Sequence, residues 1–336
     1  MFAPYRNKTV LVTGGHAREM IDGVRCFANH ARPAEAGKAV AQALRVAGAE
    51  VIYIEAAGNA QALLAEAQRH TVDAVVHAAT SSCFRMEQVA TQKLKVKSEA
   101  GMKFALPVVG NIDLAARLAE IAPLIELPAP PQLHALPVFP RGTGPLSSKK
   151  IIITGGPTAE PLTAAGDVLT NLSSGRQAQA IAAACAEQGA EVVYIAAQTA
   201  RQMLEKTLAA LPADVFIGVA AVGDFALLEA VTPLEEGQAA ALHLIQNPDI
   251  LHTVATHKLR PKLVIGFAAE THNLLAYARE KLRRKHVDAI CANVMSAAKG
   301  EENQVTWVTA QSEEAWSRMS KAEIGGRITN KIMEVL

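Results

Sequence analysis

Aromatic side chains are scarce in this 336-residue chain, at 4% of the total, while alanine is abundant. Few rings and many small side chains suit helices lying close against a sheet. No excess of either charge is present: 33 lysines and arginines face 32 acidic residues. Such a chain offers no field for a nucleic acid or a membrane surface, which leaves a small-molecule partner. The four cysteines, Cys26, Cys83, Cys185 and Cys291, form no CxxC pair and no metal-ligand spacing. That argues against a zinc site and for a reducing compartment. No apolar run reaches the ~18 residues of a membrane span. The opening MFAPYRNKTVLVTGG has no sustained apolar run to act as a signal. A cytoplasmic protein is therefore expected.

Motifs are missing too. Neither G-x-x-x-x-G-K-[ST] nor a well-formed G-x-G-x-x-G occurs, so the P-loop and the usual dinucleotide fingerprint do not apply. The second absence argues against a plain NAD-dependent reductase. His30 and His77 lie in loop-bearing segments, but the histidines are otherwise scattered and no Ser-His-Asp constellation can be argued.

What the chain does have is bulk and repetition. Hydrophobic residues make up 50% and charged residues 19%, the balance of a well-packed enzyme with length for two domains. VLVTGG at 10–15 returns as IIITGG at 151–156, and AGAEVIYIEAA at 47–57 as QGAEVVYIAAQ at 188–198. VDAVVHAA at 72–79 returns as ADVFIGVAA at 213–221, and VVGNIDL at 108–114 as LIQNPDI at 244–250. Four matches in one order indicate an internal repeat. Between the copies, residues 122–150 hold seven of the 16 prolines and read as an extended linker. The expected organisation is a first unit at 1–121, a linker at 122–150 and a second unit at 151–336.

Within each copy, short β-branched runs alternate with alanine-rich helical stretches. This pattern predicts parallel βαβ units with both sheet faces covered, an α/β class of doubly wound sheets. Ligands in such folds sit beyond the carboxyl ends of the strands. The second copy continues through LVIGFAAET, a helix over HNLLAYAREKLRRKH, VDAICANV, QVTWVTA and a final helix near 320–334.

The loops carry chemistry unequally. Ser173, Ser174 and Gly175 open a helix in TNLSSGRQAQA, where hydroxyls and free N–H groups suit a phosphate, or serve as an ordinary cap. Lys281 and Lys285 share one helical face and could hold a polyphosphate, or form a solvated basic face. Asp224 follows a buried strand, where it could take a ribose hydroxyl or a metal, or cap a loop. At the matching helix opening the first copy has lost the serines and carries Pro33. It has instead Arg25, Arg85 and a lysine row, Lys93, Lys95 and Lys97, whose period of two would put all three on one face of a strand.

The run ITGGPTAEPL…TNLSSG, then NPDI, GFAAET and YAREKLRRKHVDAICAN, resembles phosphopantothenoylcysteine synthetase, the ligase of coenzyme A biosynthesis, over nearly all of 151–336. The first copy resembles only the family's front portion, in TGGHAREMIDGVRCFANH and the flap FRMEQVATQKLKVKSEAG. The resemblance implies a CTP-dependent reaction, with ATP as a variant: 4′-phosphopantothenate becomes an acyl-cytidylate, and the amine of cysteine displaces CMP. It implies Mg²⁺ and no flavin, and subunits that pair as homodimers. Nucleotide contacts would fall on Gly218, Val219, Ala220 and Asp224, on Pro248, Asp249, Ile250 and Leu251, and on Phe267, Lys281 and Lys285. The family's asparagine matches Asn171 and Asn29, its arginine matches Arg25 but Asp167 in the second copy, and its flap lysine matches Lys93 alone. A shortened loop, AAKGEENQVTW, departs from the family's usual Gly-Ser-Asp stretch.

The losses are complementary, which suggests a fused pseudo-dimer. One composite site would take its nucleotide from the second copy and Lys93 and Arg25 from the first. Two other readings remain: a non-catalytic ligand-binding or regulatory relative of the synthetase, and a related ligase that uses another carboxylate or amine.

Overall fold

Runs such as TVLVTG and KIIIT cannot leave either face in water, and the computed structural model buries both. It describes residues 5–94, 103–126, 136–270, 273–294 and 300–336. Two compact units result, each assembled from separated stretches of chain. Unit 1 contains residues 1–134, Glu160–Thr170 and Phe225–Ile245; unit 2 contains Ala135–Ala159, Asn171–Asp224 and Gln246–Leu336.

In unit 2 the strands Lys150–Thr154, Glu191–Ile195, Val215–Gly218, Leu263–Glu270 and Ala289–Val294 are parallel, and Val305–Thr309 and Glu313–Ala315 extend the sheet antiparallel. Period-two alternation sends Ile151 and Ile153 to one face and Ile152 to the other. The first face packs on helices Arg176–Glu187 and Lys321–Val335 through Ile181, Cys185, Ile324 and Ile328. The second packs on Ala200–Ala209, Ile250–Ala255 and Leu274–Lys285 through Met203, Val254 and Leu282. Each fully buried aliphatic chain of this kind contributes roughly 1.5–3 kcal/mol.

Unit 1 repeats the start of this plan. Its parallel sheet has Thr9–Gly14 and Ala74–His77 at the centre and Glu50–Glu55 and Leu124–Glu126 at the edges. Helix Ala36–Val46 covers one face; Ala60–Ala67 and Leu114–Ala119 cover the other. The fold is thus α/β with Rossmann-like, doubly wound parallel sheets.

Unit 1 also holds two small sheets that join strands far apart in the sequence. Arg25–Asn29 lies beside Asp167–Asn171, and Lys103–Gly110 pairs antiparallel with Ala239–Gln246, placing Leu106 opposite Leu242. Phe27, Phe84, Leu162, Leu169, Phe225 and Leu244 form their common core.

Two pairs of positions make like contacts. The missing side chain of Gly14 admits the Tyr53 hydroxyl, and that of Gly155 admits Tyr194: a Cβ would meet these oxygens at 2.3 and 2.1 Å. Asn111 donates its backbone N–H to Cys83 and its side-chain amide to Ser82; Asn247 does the same to Asp224 and Gly223.

Candidate functional site

The carboxyl edge of the unit 2 sheet gathers most of the nucleotide-binding candidates. Lys150–Thr154 runs into Gly155 and Gly156, and the helix Arg176–Glu187 starts beside that turn. Its N-cap, Gly175, is left-handed at φ 70° and so close to Gly156 that a Cβ would stand 3.3 Å from the neighbouring backbone. No side chain caps this helix, whereas Thr199, Asp249 and Ser320 each cap theirs. Ser173 and Ser174 are exposed beside it. An uncapped, solvent-facing helix start with two hydroxyls is suited to an anion.

Three side chains shape the neighbouring loop. Ala220 donates its N–H to the Thr154 hydroxyl at 3.4 Å, and Gly223 donates to Thr158 at 2.7 Å. Asn171 donates its amide to the carbonyls of Ala221 and Val222, at 3.3 and 2.9 Å. This amide braces the loop that carries Asp224. Gly218, at the end of its strand, and Gly266, paired with it in the middle of the next, leave room for Leu251: a Cβ on Gly266 would meet Leu251 at 2.6 Å, and one on Gly218 would meet it at 3.3 Å. Val219 follows Gly218 and leads toward the Asp224 loop.

The helix Leu274–Lys285 brings its two lysines to the same edge. Lys281 donates to the carbonyl of Phe267 at 2.6 Å. Lys285 is ion-paired with Asp249 and only 12% exposed. Burial draws the Lys285 ammonium below its ordinary pKa, against the nearby Asp224 charge, which raises it. Asp249 also caps Ile250–Ala255, accepting the His252 N–H at 3.0 Å. Pro248 precedes it and fixes the approach of the chain. Lysine, partnered carboxylate and helix start thus share one edge of one sheet.

Unit 1 holds the other candidates. Arg25 is buried, with Nη1 donating to Asp22 Oδ2 at 2.7 Å and to the Leu94 carbonyl at 3.1 Å. Its guanidinium also lies 5.6 Å from the centre of the Phe225 ring. Asn29 donates to Ala165 and Asp167 and accepts from the Ala31 N–H. Asp167 takes hydrogen bonds from Asn29, Cys83 and Thr163. Burial first, and then the Asp167 charge, push the Cys83 thiol up to about 12. Lys93 is half-buried. Lys95, Lys97 and the rest of the expected flap lie outside the described residues, as does most of the shortened loop after Val294.

Sequence reasoning missed Asp22, Thr158 and Asn247, whose work is visible only in the hydrogen bonds. It also missed the meeting of His16 and His30, whose rings are 5.1 Å apart. Among the described residues no three His, Cys, Asp or Glu side chains group as a metal site, and no helix is long and apolar enough to cross a membrane.

The model of the DNA/pantothenate metabolism flavoprotein C-terminal domain family matches residues 5–124 and 146–336. The chain belongs to this family. A related coenzyme A biosynthesis bifunctional protein CoaBC from Haemophilus influenzae is 33% identical over 210 residues, which is 56% of this chain and 52% of that protein. The CoaBC protein of Vibrio vulnificus strain CMCP6 is 29% identical over 275 residues, covering 74% and 67% of the two chains. This family member therefore spans about half to two thirds of the length of those relatives. Among solved structures, the C-terminal domain of a CoaBC protein aligns at a TM-score of 0.48 with 29% identity, over 57% of this chain and 97% of that one.

Proposed function

We propose that the chain is a phosphopantothenate–cysteine ligase that uses CTP, with ATP as the variant. Membership of the family and the coenzyme A role named for the CoaBC relatives support the reaction class. The observations that support the nucleotide reading are the pair of lysines on one helical face, one held by Phe267 and the other by Asp249, and the uncapped start of the helix Arg176–Glu187 on the other face of the same sheet.

The chemistry divides among the residues. The carboxylate of 4′-phosphopantothenate attacks the α-phosphorus of the nucleotide, and pyrophosphate leaves with the negative charge. Ser173, Ser174, the N–H groups after Gly175, Lys281 and Lys285 hold the phosphates and favour that charge. Gly218, Val219, Ala220 and Leu251 form the floor under the nucleoside, with Ile250 and Phe267 behind them. The cysteine amine then attacks the acyl carbon, loses a proton, and expels CMP. Asn171 and Asn29 hold their loops in register, and Lys93 and Arg25 serve the same turnover from unit 1. Magnesium would be carried largely by the phosphates, with Asp224 the carboxylate placed to share it; it would neutralise their charge.

The duplication and the use of both copies in one reaction belong to this reading. A non-catalytic relative is the second reading, favoured by one observation: Asp167 stands where the second copy would need arginine, and Arg25 is engaged with Asp22. Incubation of the purified chain with 4′-phosphopantothenate, cysteine, Mg²⁺ and CTP or ATP separates the two. Mass spectrometry should find phosphopantothenoylcysteine and the nucleoside monophosphate. Nucleotide binding without product would favour the non-catalytic relative.

A further inference from the structure

We infer that Asp22 is a positioning residue for Lys93, acting by a grip on the backbone of Leu94. The inference rests on the reading of Lys93 as a catalytic lysine. Asp22 is fully buried and uses each carboxylate oxygen differently. Oδ1 accepts the N–H groups of Val24 and Arg25, both at 2.8 Å, and closes a local turn. Oδ2 accepts Arg25 Nη1 at 2.7 Å and the Leu94 N–H at 3.0 Å. Arg25 Nη1 in turn reaches the Leu94 carbonyl at 3.1 Å. One buried ion pair therefore holds both polar groups of the residue next to Lys93. A further bond, from the Ala90 N–H to the Ile21 carbonyl at 3.0 Å, ties the same segment to the same turn.

Side-chain burial does not explain this attachment. Val89 is 54% exposed and Leu94 38%, so the segment brings little apolar surface to unit 1. A turn of this kind needs only one carboxylate oxygen. The second is committed, with a buried arginine, to an irregular and largely exposed stretch. What that stretch carries is Lys93, and the grip fixes the point from which its flexible side chain extends.

Asp22→Asn isolates the second oxygen. The amide oxygen would keep the two turn bonds, while the amide nitrogen would face two donors, Arg25 Nη1 and the Leu94 N–H. With selectively ¹⁵N-leucine-labelled chain, the Leu94 amide should exchange slowly in the wild type and about tenfold or more faster in the variant. Turnover should fall about 10- to 100-fold, as expected when a catalytic group loses its placement. Nucleotide affinity should be unchanged, and Lys93→Ala should cost little more in the Asp22→Asn background. Leu94→Pro removes the gripped N–H without altering the buried pair and should reproduce the loss if Asp22→Asn folds poorly. Full turnover in a folded variant, or an unaltered Leu94 amide, would overturn the inference alone. A wild-type chain that makes no product would overturn the ligase reading on which it rests.

Discussion

The ammonium of Lys281 donates to the backbone carbonyl of Phe267 at 2.6 Å, which anchors a flexible side chain to the middle of a central strand. One turn further along the helix, Lys285 is paired with Asp249. Replacing either lysine with alanine should weaken CTP binding by about 10- to 100-fold, equivalent to about 1.4–2.8 kcal/mol. Lys285→Ala should be the more damaging, because it leaves the Asp249 carboxylate unpaired near incoming phosphates. Isothermal titration with CTP and Mg²⁺ measures both. Asp249→Asn retains a capping side chain but leaves the largely buried Lys285 ammonium without its carboxylate, so it should lower stability as well as change affinity.

Lys93 and Lys281 should fail differently. Lys93→Ala is expected to lose turnover while keeping nucleotide affinity, whereas Lys281→Ala should lose both. Parallel titrations and product assays compare them. Full turnover by Lys93→Ala would remove Lys93 from the chemistry.

Gly37 provides a test in which local and tertiary preferences oppose each other. Alanine is favoured over glycine inside a helix by about 1 kcal/mol. At this position, however, a Cβ would stand 2.7 Å from Gly14 Cα and 2.8 Å from the Thr13 carbonyl oxygen. Both are backbone atoms of a central strand and its end, so neither can turn aside. Gly37→Ala should destabilise by about 1–3 kcal/mol, a cost typical of overpacking. Urea unfolding gives the sign directly.

His77 sets a pH dependence. Its ring bonds to the Thr13 hydroxyl at 2.9 Å, and burial, with help from Arg32, lowers its pKa from 6.5 to about 4. Between those values the unfolded chain binds the extra proton and the folded chain does not. Stability from neutral His77 is therefore complete above about pH 6.5 and declines as pH falls toward 4. The full loss would be about 3 kcal/mol. Unfolding midpoints measured from pH 7.5 to 4.5 should fall more steeply for the wild type than for His77→Gln.

The alternating runs showed the parallel strands well, because a strand such as KIIIT has no soluble face and therefore few alternatives. The likeness of 108–114 to 244–250 is readable in the sequence, but the matching bonds that Asn111 and Asn247 make are visible only in the structure. What could not be read was long-range pairing. Nothing in KFALPVVG says that it will lie against AAALHLIQ, since many apolar octamers would satisfy the same pattern. Asp22 looked like an ordinary turn residue because one of its oxygens is one; the other acts on a residue 72 positions away. Lys281 and Lys285 were legible as a shared helical face, but their partners Phe267 and Asp249 depend on how that helix lies on the sheet.

The pairing of strands more than 100 residues apart has a consequence for how the protein is made. On a ribosome the chain appears from its amino end, and Lys103–Gly110 emerges long before Ala239–Gln246, the strand it needs. Arg25–Asn29 likewise waits for Asp167–Asn171. During that interval two strand edges and the faces of Phe27 and Phe84 have no permanent cover, a state open to mispairing with other nascent chains. Unit 1, though it begins first, can finish only after Phe225–Ile245 has been translated. A chain cut after the proline-rich stretch would be an arrested intermediate rather than a small domain.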